Sequence, residues 1–211
     1  MGEFLVNLFV RSAERDAVVD AVKPILRPAY VRANTQSRLH HEDTALYVAP
    51  SIRGWVGIFD LLMEAQDERL CEQAVRELSA SLQTVALTFL MHDGEFIRYW
   101  LARGGRLLDR YHSAPDYFGP VTTAEMKRLQ GRPAILADAC GKPLAALAIA
   151  RTLRDPDWEG LGSEMLETIC ESLEIPNLRV GFNTMAHDVE EGTVEGWEAF
   201  RAVSLRELLG A

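Results

Sequence analysis

Two glycine dipeptides constrain this chain more than any other feature. Asp93-Gly94 and Gly104-Gly105 interrupt an apolar stretch and leave three runs, Val85–His92, Glu95–Arg103 and Arg106–Tyr111, each with strand-like composition. Glycine tolerates the positive φ that tight hairpin turns require, so the three runs are predicted to pair as an antiparallel meander. On this reading Asp93 and Gly94 serve the turn, and His92 and Glu95 face each other across it as a cross-strand pair worth about 0.2–1 kcal/mol.

The elements before the meander give it a context. Phe4 to Val10 is rich in β-formers and stops at Arg11-Ser12, where Ser12 is placed to cap a helix. Ala17, Val18, Ala21, Val22, Ile25 and Leu26 then recur at helical spacing, and Pro24 or Pro28 is expected to bend or end that helix. Asn34 to Asp43 reads as a polar loop. Thr44–Val48 and Gly54–Phe59 read as strands joined by the turn at 50–53. The clearest helix spans Glu68 to Ser81, because Asp67 is a natural N-cap and Leu70, Ala74, Leu78 and Leu82 lie four apart, with Cys71 and Val75 widening the same face.

Strung together, the order is strand, helix, strand, strand, helix, strand, followed by two more strands. The expected fold class is therefore α+β: a ferredoxin-like βαββαβ antiparallel sheet over residues 1–113, extended by a hairpin. Residues 114–211 read as a mainly helical region packed on that sheet as part of one continuous unit. Within it, Thr122 and Glu125 form a capping-box pattern, and Gly131 is placed to end that helix. Pro133–Cys140 and Pro143–Leu153 read as two short helices, and Asp155-Pro156 as a helix start. An acidic helix from Ser163 is predicted to bury Met165, Leu166, Ile169, Cys170 and Leu173. Leu178–Phe182 and Trp197–Val203 are candidate strands, and Leu205–Ala211 a frayed end.

Charge and cysteine content narrow the function classes. Net charge is -9 over 211 residues, and it is uneven: between Asp155 and Glu198 stand 12 acidic residues against Arg179 alone. Duplex nucleic acid is bound by neutralising phosphates with Lys and Arg, so no nucleic-acid partner is expected, whereas a basic protein partner suits the acidic face. Of 22 basic residues 19 are Arg, a skew in keeping with a GC-rich bacterial genome. Cys71, Cys140 and Cys170 are odd in number, widely spaced and set in apolar surroundings, as reduced thiols used in a core would be. The longest apolar runs end after about eight residues, and Met1-Gly2-Glu3 carries no basic leader pattern, so a cytoplasmic protein without membrane association is expected.

No catalytic motif appears: G-x-S-x-G, H-E-x-x-H and C-x-x-C are all missing from the sequence. His40-His41-Glu42-Asp43 holds four metal-capable side chains, but adjacent residues point apart, so neither metal nor cofactor is expected. His187-Asp188 lacks a nucleophile beside it, and Gly160-Leu161-Gly162 sits among carboxylates that would repel a phosphate. The informative stretch is Asp109 to Pro120 at the exit from the meander, where Asp109, His112, Asp116, Tyr117 and Phe118 are the candidate binding residues. Proline stiffens such a loop, and aromatic rings give large contact area at low entropic cost. The preferred expectation is a non-enzymatic interaction or regulatory protein, antidote- or immunity-like, that covers a basic target. The alternative is a small-molecule-binding domain or enzyme using His92, Asp109, His112 and Asp116. Homodimerisation through an open sheet edge is a further expectation.

Overall fold

Strand β1 (Leu5–Arg11) lies near the middle of the molecule and pairs antiparallel on both sides, with β3 (Trp55–Asp60) and β4 (Val85–His92). The computed structural model describes residues 4–12, 14–36, 43–155, 161–176, 180–191 and 199–210. With β2 (Thr44–Val48), β5 (Phe96–Arg103), β6 (Arg106–His112) and β7 (Arg201–Ser204), the strands form one seven-stranded antiparallel sheet in the order β6-β5-β4-β1-β3-β2-β7. The protein is α+β.

Period-two alternation sends the strands' side chains to two separate cores. Val6, Leu8 and Val10 face helices α1 (Arg15–Gln36) and α2 (Glu68–Ser81), whereas Leu5 and Phe9 face the opposite side. That second side is covered by α4 (Pro133–Ala139), α5 (Ala146–Arg154) and α6 (Gly162–Leu173), with α3 (Thr123–Arg128) preceding them. The sheet is thus buried on both faces. Its helical half presents to it the Met165, Leu166, Ile169, Cys170 and Leu173 stripe expected from periodicity. Each such Leu or Ile taken fully out of water contributes about 1.5–3 kcal/mol.

Local signals account for most element boundaries. Asp67 caps α2 by accepting from the amides of Arg69 and Leu70, and the Thr122–Glu125 capping box starts α3. Helix α1, by contrast, runs through both Pro24 and Pro28 to Gln36 and takes in the first residues of the expected loop. The two prolines sit four apart on the exposed side of α1. The carbonyls they leave without an amide, those of Asp20 and Pro24, are therefore on the water side, while Val18, Val22, Leu26 and Tyr30 hold the buried side to the sheet.

Three further expectations are corrected. Phe182 opens helix α7 (Phe182–Glu191) instead of closing a strand; its ring is buried against Tyr47, and its amide donates to Glu64. The C-terminus does not fray: α8 (Leu205–Leu209) buries Leu205 and Leu208 beside α1, with Ser204 as N-cap. At the β4–β5 turn His92 pairs with Phe96, not Glu95, because the connection holds three residues, of which Asp93 and Gly94 have φ of 56° and 72°. Of the second C-terminal strand, Arg201–Ser204 is observed. The readings at His40, His41 and Glu42, at Pro156, and at 177–179 and 192–198 fall outside the described residues. No described helix is long and apolar enough to cross a membrane.

Strands β6 and β7 are the sheet edges. The outer edge of β6 is partly occupied: Tyr111 forms a bridge with Gln130, and the Leu108 carbonyl accepts from the Arg132 guanidinium.

Candidate functional site

The β4–β6 meander ends in a ladder of rings on the α1/α2 side. Because His92 pairs with Phe96 and Arg98 with His112, strand alternation places His92, Phe96 and His112 side by side on neighbouring strands. The His92 and Phe96 rings stack at 5.0 Å and 16°, and Phe96 meets His112 at 4.7 Å. The exit loop folds back over them through two consecutive turns, Tyr117 N to Ala114 O at 3.1 Å and Gly119 N to Asp116 O at 2.9 Å. That return brings Tyr117 to 4.8 Å from Phe96 and Phe118 to 5.2 Å from His92. Phe4, just before β1, closes the group at 4.9 Å from His92.

Burial is graded across the cluster. Phe96 is 1% exposed at its centre, while Phe4, Tyr117 and Phe118 expose 47%, 42% and 70% of their surface at its rim. The rim also carries charge. Asp93, Glu95 and Asp116 are exposed, and the Tyr117 hydroxyl hydrogen-bonds the Glu95 carboxylate, which holds the phenol in its protonated form and raises its pKa. The hairpin tip touches the start of α6, where the Ser163 amide donates to Gly94 O at 3.3 Å. From there Glu164, Glu167, Glu171 and Glu174 recur along the outward side of the helix, with Glu174 paired to Lys142.

The two histidines differ in environment. His92 is half-buried, and its Nδ1 lies 2.6 Å from Gln66 Oε1; Gln66 is itself oriented by donating to the Met91 carbonyl. His112 is 3% exposed, and its Nδ1 accepts from the Ala114 amide at 3.1 Å, so its proton sits on Nε2. Burial, reinforced by the Arg98 cation on the adjacent strand, pushes His112 down to about 3, and its ring is neutral near pH 7. Among the described residues, His112 Nε2 and Arg98 Nε are both buried without a hydrogen-bond partner. Arg98 otherwise pairs with Glu68 and lines a cavity of about 660 Å³ between α2 and strands β5–β6, floored by Trp100 and walled by Glu72 and Arg110.

The sequence-derived candidates therefore divide. His112, Asp116, Tyr117 and Phe118 come together, joined by His92. Asp109 does not: three positions from His112 on the same strand, it faces the opposite side of the sheet. There it is 5% exposed and accepts from Tyr99 Oη at 2.8 Å, Arg132 N at 2.7 Å and Arg132 Nε at 3.2 Å. Sequence reasoning missed Phe96, Phe4 and Arg98. Strand alternation counted back from His112 and His92 carried the signal for Phe96 and Arg98, but nothing local pointed to Phe4. Among the described residues no group of three or more His, Cys, Asp and Glu is arranged to hold a metal ion.

No protein-family model matches the chain, and neither a curated protein nor a solved structure matches it.

Proposed function

We propose that this chain is a protein-interaction module that engages a basic segment of a partner protein through the aromatic cluster and its rim of carboxylates. The observation that carries the reading is the gathering of Phe4, Tyr117 and Phe118 at one end of the sheet, largely exposed, beside Asp93, Glu95 and Asp116. Contiguous exposed aromatic surface marks a binding site more often than scattered apolar residues do. Ring faces flanked by carboxylates suit an arginine or lysine, whose cation gains about 0.5–2 kcal/mol over an aromatic ring. The acidic α6 stripe adds long-range attraction that speeds encounter with a basic partner. Such a module acts by covering its target, as a regulatory or immunity-like protein does.

The order β4-β1-β3-β2 with α1 and α2 on one side supports a ferredoxin-like βαββαβ core extended by β5 and β6. The shared core of β1, β4, β5, α4, α5 and α6 supports one continuous unit. Three buried, unpaired thiols suit a reducing compartment such as the cytoplasm.

The test is calorimetric titration with an oligo-arginine peptide, with oligo-glutamate as control, at low and high salt. Arginine binding that weakens with salt and falls about tenfold in a Tyr117→Ala/Phe118→Ala double variant is the expected result. Equal affinity in the double variant removes the aromatic cluster from the interaction and overturns the proposal.

A second reading rests on Arg98 Nε, buried without a hydrogen-bond partner among the described residues, beside the 660 Å³ cavity, a size suited to a small organic ligand. Native mass spectrometry of protein purified gently from its host separates the two: a basic polypeptide carried along supports the first reading, and a small mass excess the second.

A further inference from the structure

A second cavity, of about 460 Å³, opens over the outer part of β6, and its lining includes Asp109, Arg110, Lys127, Arg128, Gly131 and Arg132. Four cations and one carboxylate line it, an excess of three positive charges on a chain whose net charge is -9. The carboxylate is already committed. Asp109 is buried and takes three hydrogen bonds, two of them from Arg132, so it anchors the α3–α4 connection and leaves no oxygen facing the other cations unused. Neither Lys127 nor Arg128 has a carboxylate within salt-bridge distance among the described residues; Glu125 influences Arg128 only at longer range. Arg110 reaches Glu72 at 3.7 Å on its other side, so that pairing lies toward α2.

The connection that presents these cations is built with little freedom. Gly131 turns it with φ of 67°, and a Cβ there would stand 2.7 Å from Tyr99 Oη and 3.2 Å from the Tyr111 ring. Arg132 is fixed by Asp109 and by the Leu108 carbonyl. Leu129 O accepts from the His112 amide at 2.9 Å, which sets the end of α3 against β6. Lys127 and Arg128 in its last turn therefore line the same cavity as Arg132.

We infer that this cavity binds a small multiply charged oxyanion, held by Lys127, Arg128 and Arg132, with Asp109 and Gly131 as positioning residues. Guanidinium groups match the geometry of phosphate or carboxylate oxygens, and the excess charge lining the cavity favours two or more negative charges on the ligand over one. The site lies across β6 from the aromatic cluster, and it does not depend on the protein-interaction reading.

Calorimetric titration of the full chain with pyrophosphate, with citrate and with inorganic phosphate tests it at low ionic strength. Saturable one-to-one binding of pyrophosphate or citrate is expected, tighter than that of inorganic phosphate. A Lys127→Ala/Arg128→Ala variant, altered only at exposed side chains, should lose about tenfold in affinity with unchanged melting, while Arg154→Ala binds as the parent does. Preference for pyrophosphate over citrate points to a diphosphate group on the ligand, and the reverse to a polycarboxylate. No saturable heat with any of the three, or equal binding in the double variant, overturns the inference.

Discussion

Replacing Asp60 by asparagine keeps the hydrogen bonds at the end of β3 and removes a buried titration. Asp60 is fully buried; its Oδ1 accepts from the Met63 amide at 2.9 Å, and its Oδ2 lies 2.9 Å from Tyr30 Oη. Tyr30 Oη is also 2.7 Å from the Ala45 carbonyl oxygen, yet a phenol has one proton to donate. When that proton goes to Ala45, Asp60 Oδ2 needs one of its own to complete the chain. Burial drives the same outcome: it raises Asp60 from 3.8 to about 7 against the lowering effects of the Met63 amide and the Tyr30 hydroxyl, with Glu64 adding a smaller repulsion. The folded pKa is above the unfolded one, so the stabilisation is fully present below about pH 4 and is lost as pH rises through about 7. The interval from 3.8 to about 7 corresponds to roughly 4 kcal/mol. In Asp60→Asn the side-chain amide donates to Tyr30, Tyr30 donates to Ala45, and the carbonyl still accepts from Met63, with nothing left to titrate. Urea unfolding of both proteins at several pH values reads the difference directly. The variant should match the parent near pH 4 and exceed it by up to about 4 kcal/mol at pH 8. A difference that does not change with pH, or a variant less stable at pH 8, would refute the argument that Asp60 folds protonated.

Two other outcomes follow from packing. Gly131→Ala forces a Cβ against Tyr99 Oη, Leu153 and Tyr111 at a residue with positive φ, and it should lower stability by about 2–4 kcal/mol in thermal unfolding. Burial pushes the Cys71 and Cys140 thiols up to about 12 and that of Cys170 well above its usual range, so a disulfide reagent should titrate none of the three in the folded protein at pH 8 and all three in denaturant.

Patterns of a few residues sufficed wherever the deciding interaction was local. Asp67 with the four-residue repeat from Leu70 to Leu82 specified α2 to its ends, because cap and stripe lie within one helix. Asp93-Gly94 and Gly104-Gly105 specified the meander, since only residues tolerant of positive φ close such turns. Alternation alone separates Asp109 from His112, which stand on opposite faces of β6. Where local preference met a larger packing energy, the larger one prevailed: Pro24 and Pro28 would end an isolated helix, but the buried side of α1 outweighs two hydrogen bonds that water replaces. Contacts between distant segments had no local signature at all. Phe4, His92 and Phe118 meet because β1 pairs with β4 and the exit loop turns back, and Arg110, Lys127, Arg128 and Arg132 surround one cavity because Asp109 and Gly131 pin the α3–α4 connection to β6. Residue types and spacing carry the energy of a helix, a turn or a strand; the identity of neighbours across a sheet depends on every other pairing being satisfied at once, and so it exists first in the folded chain.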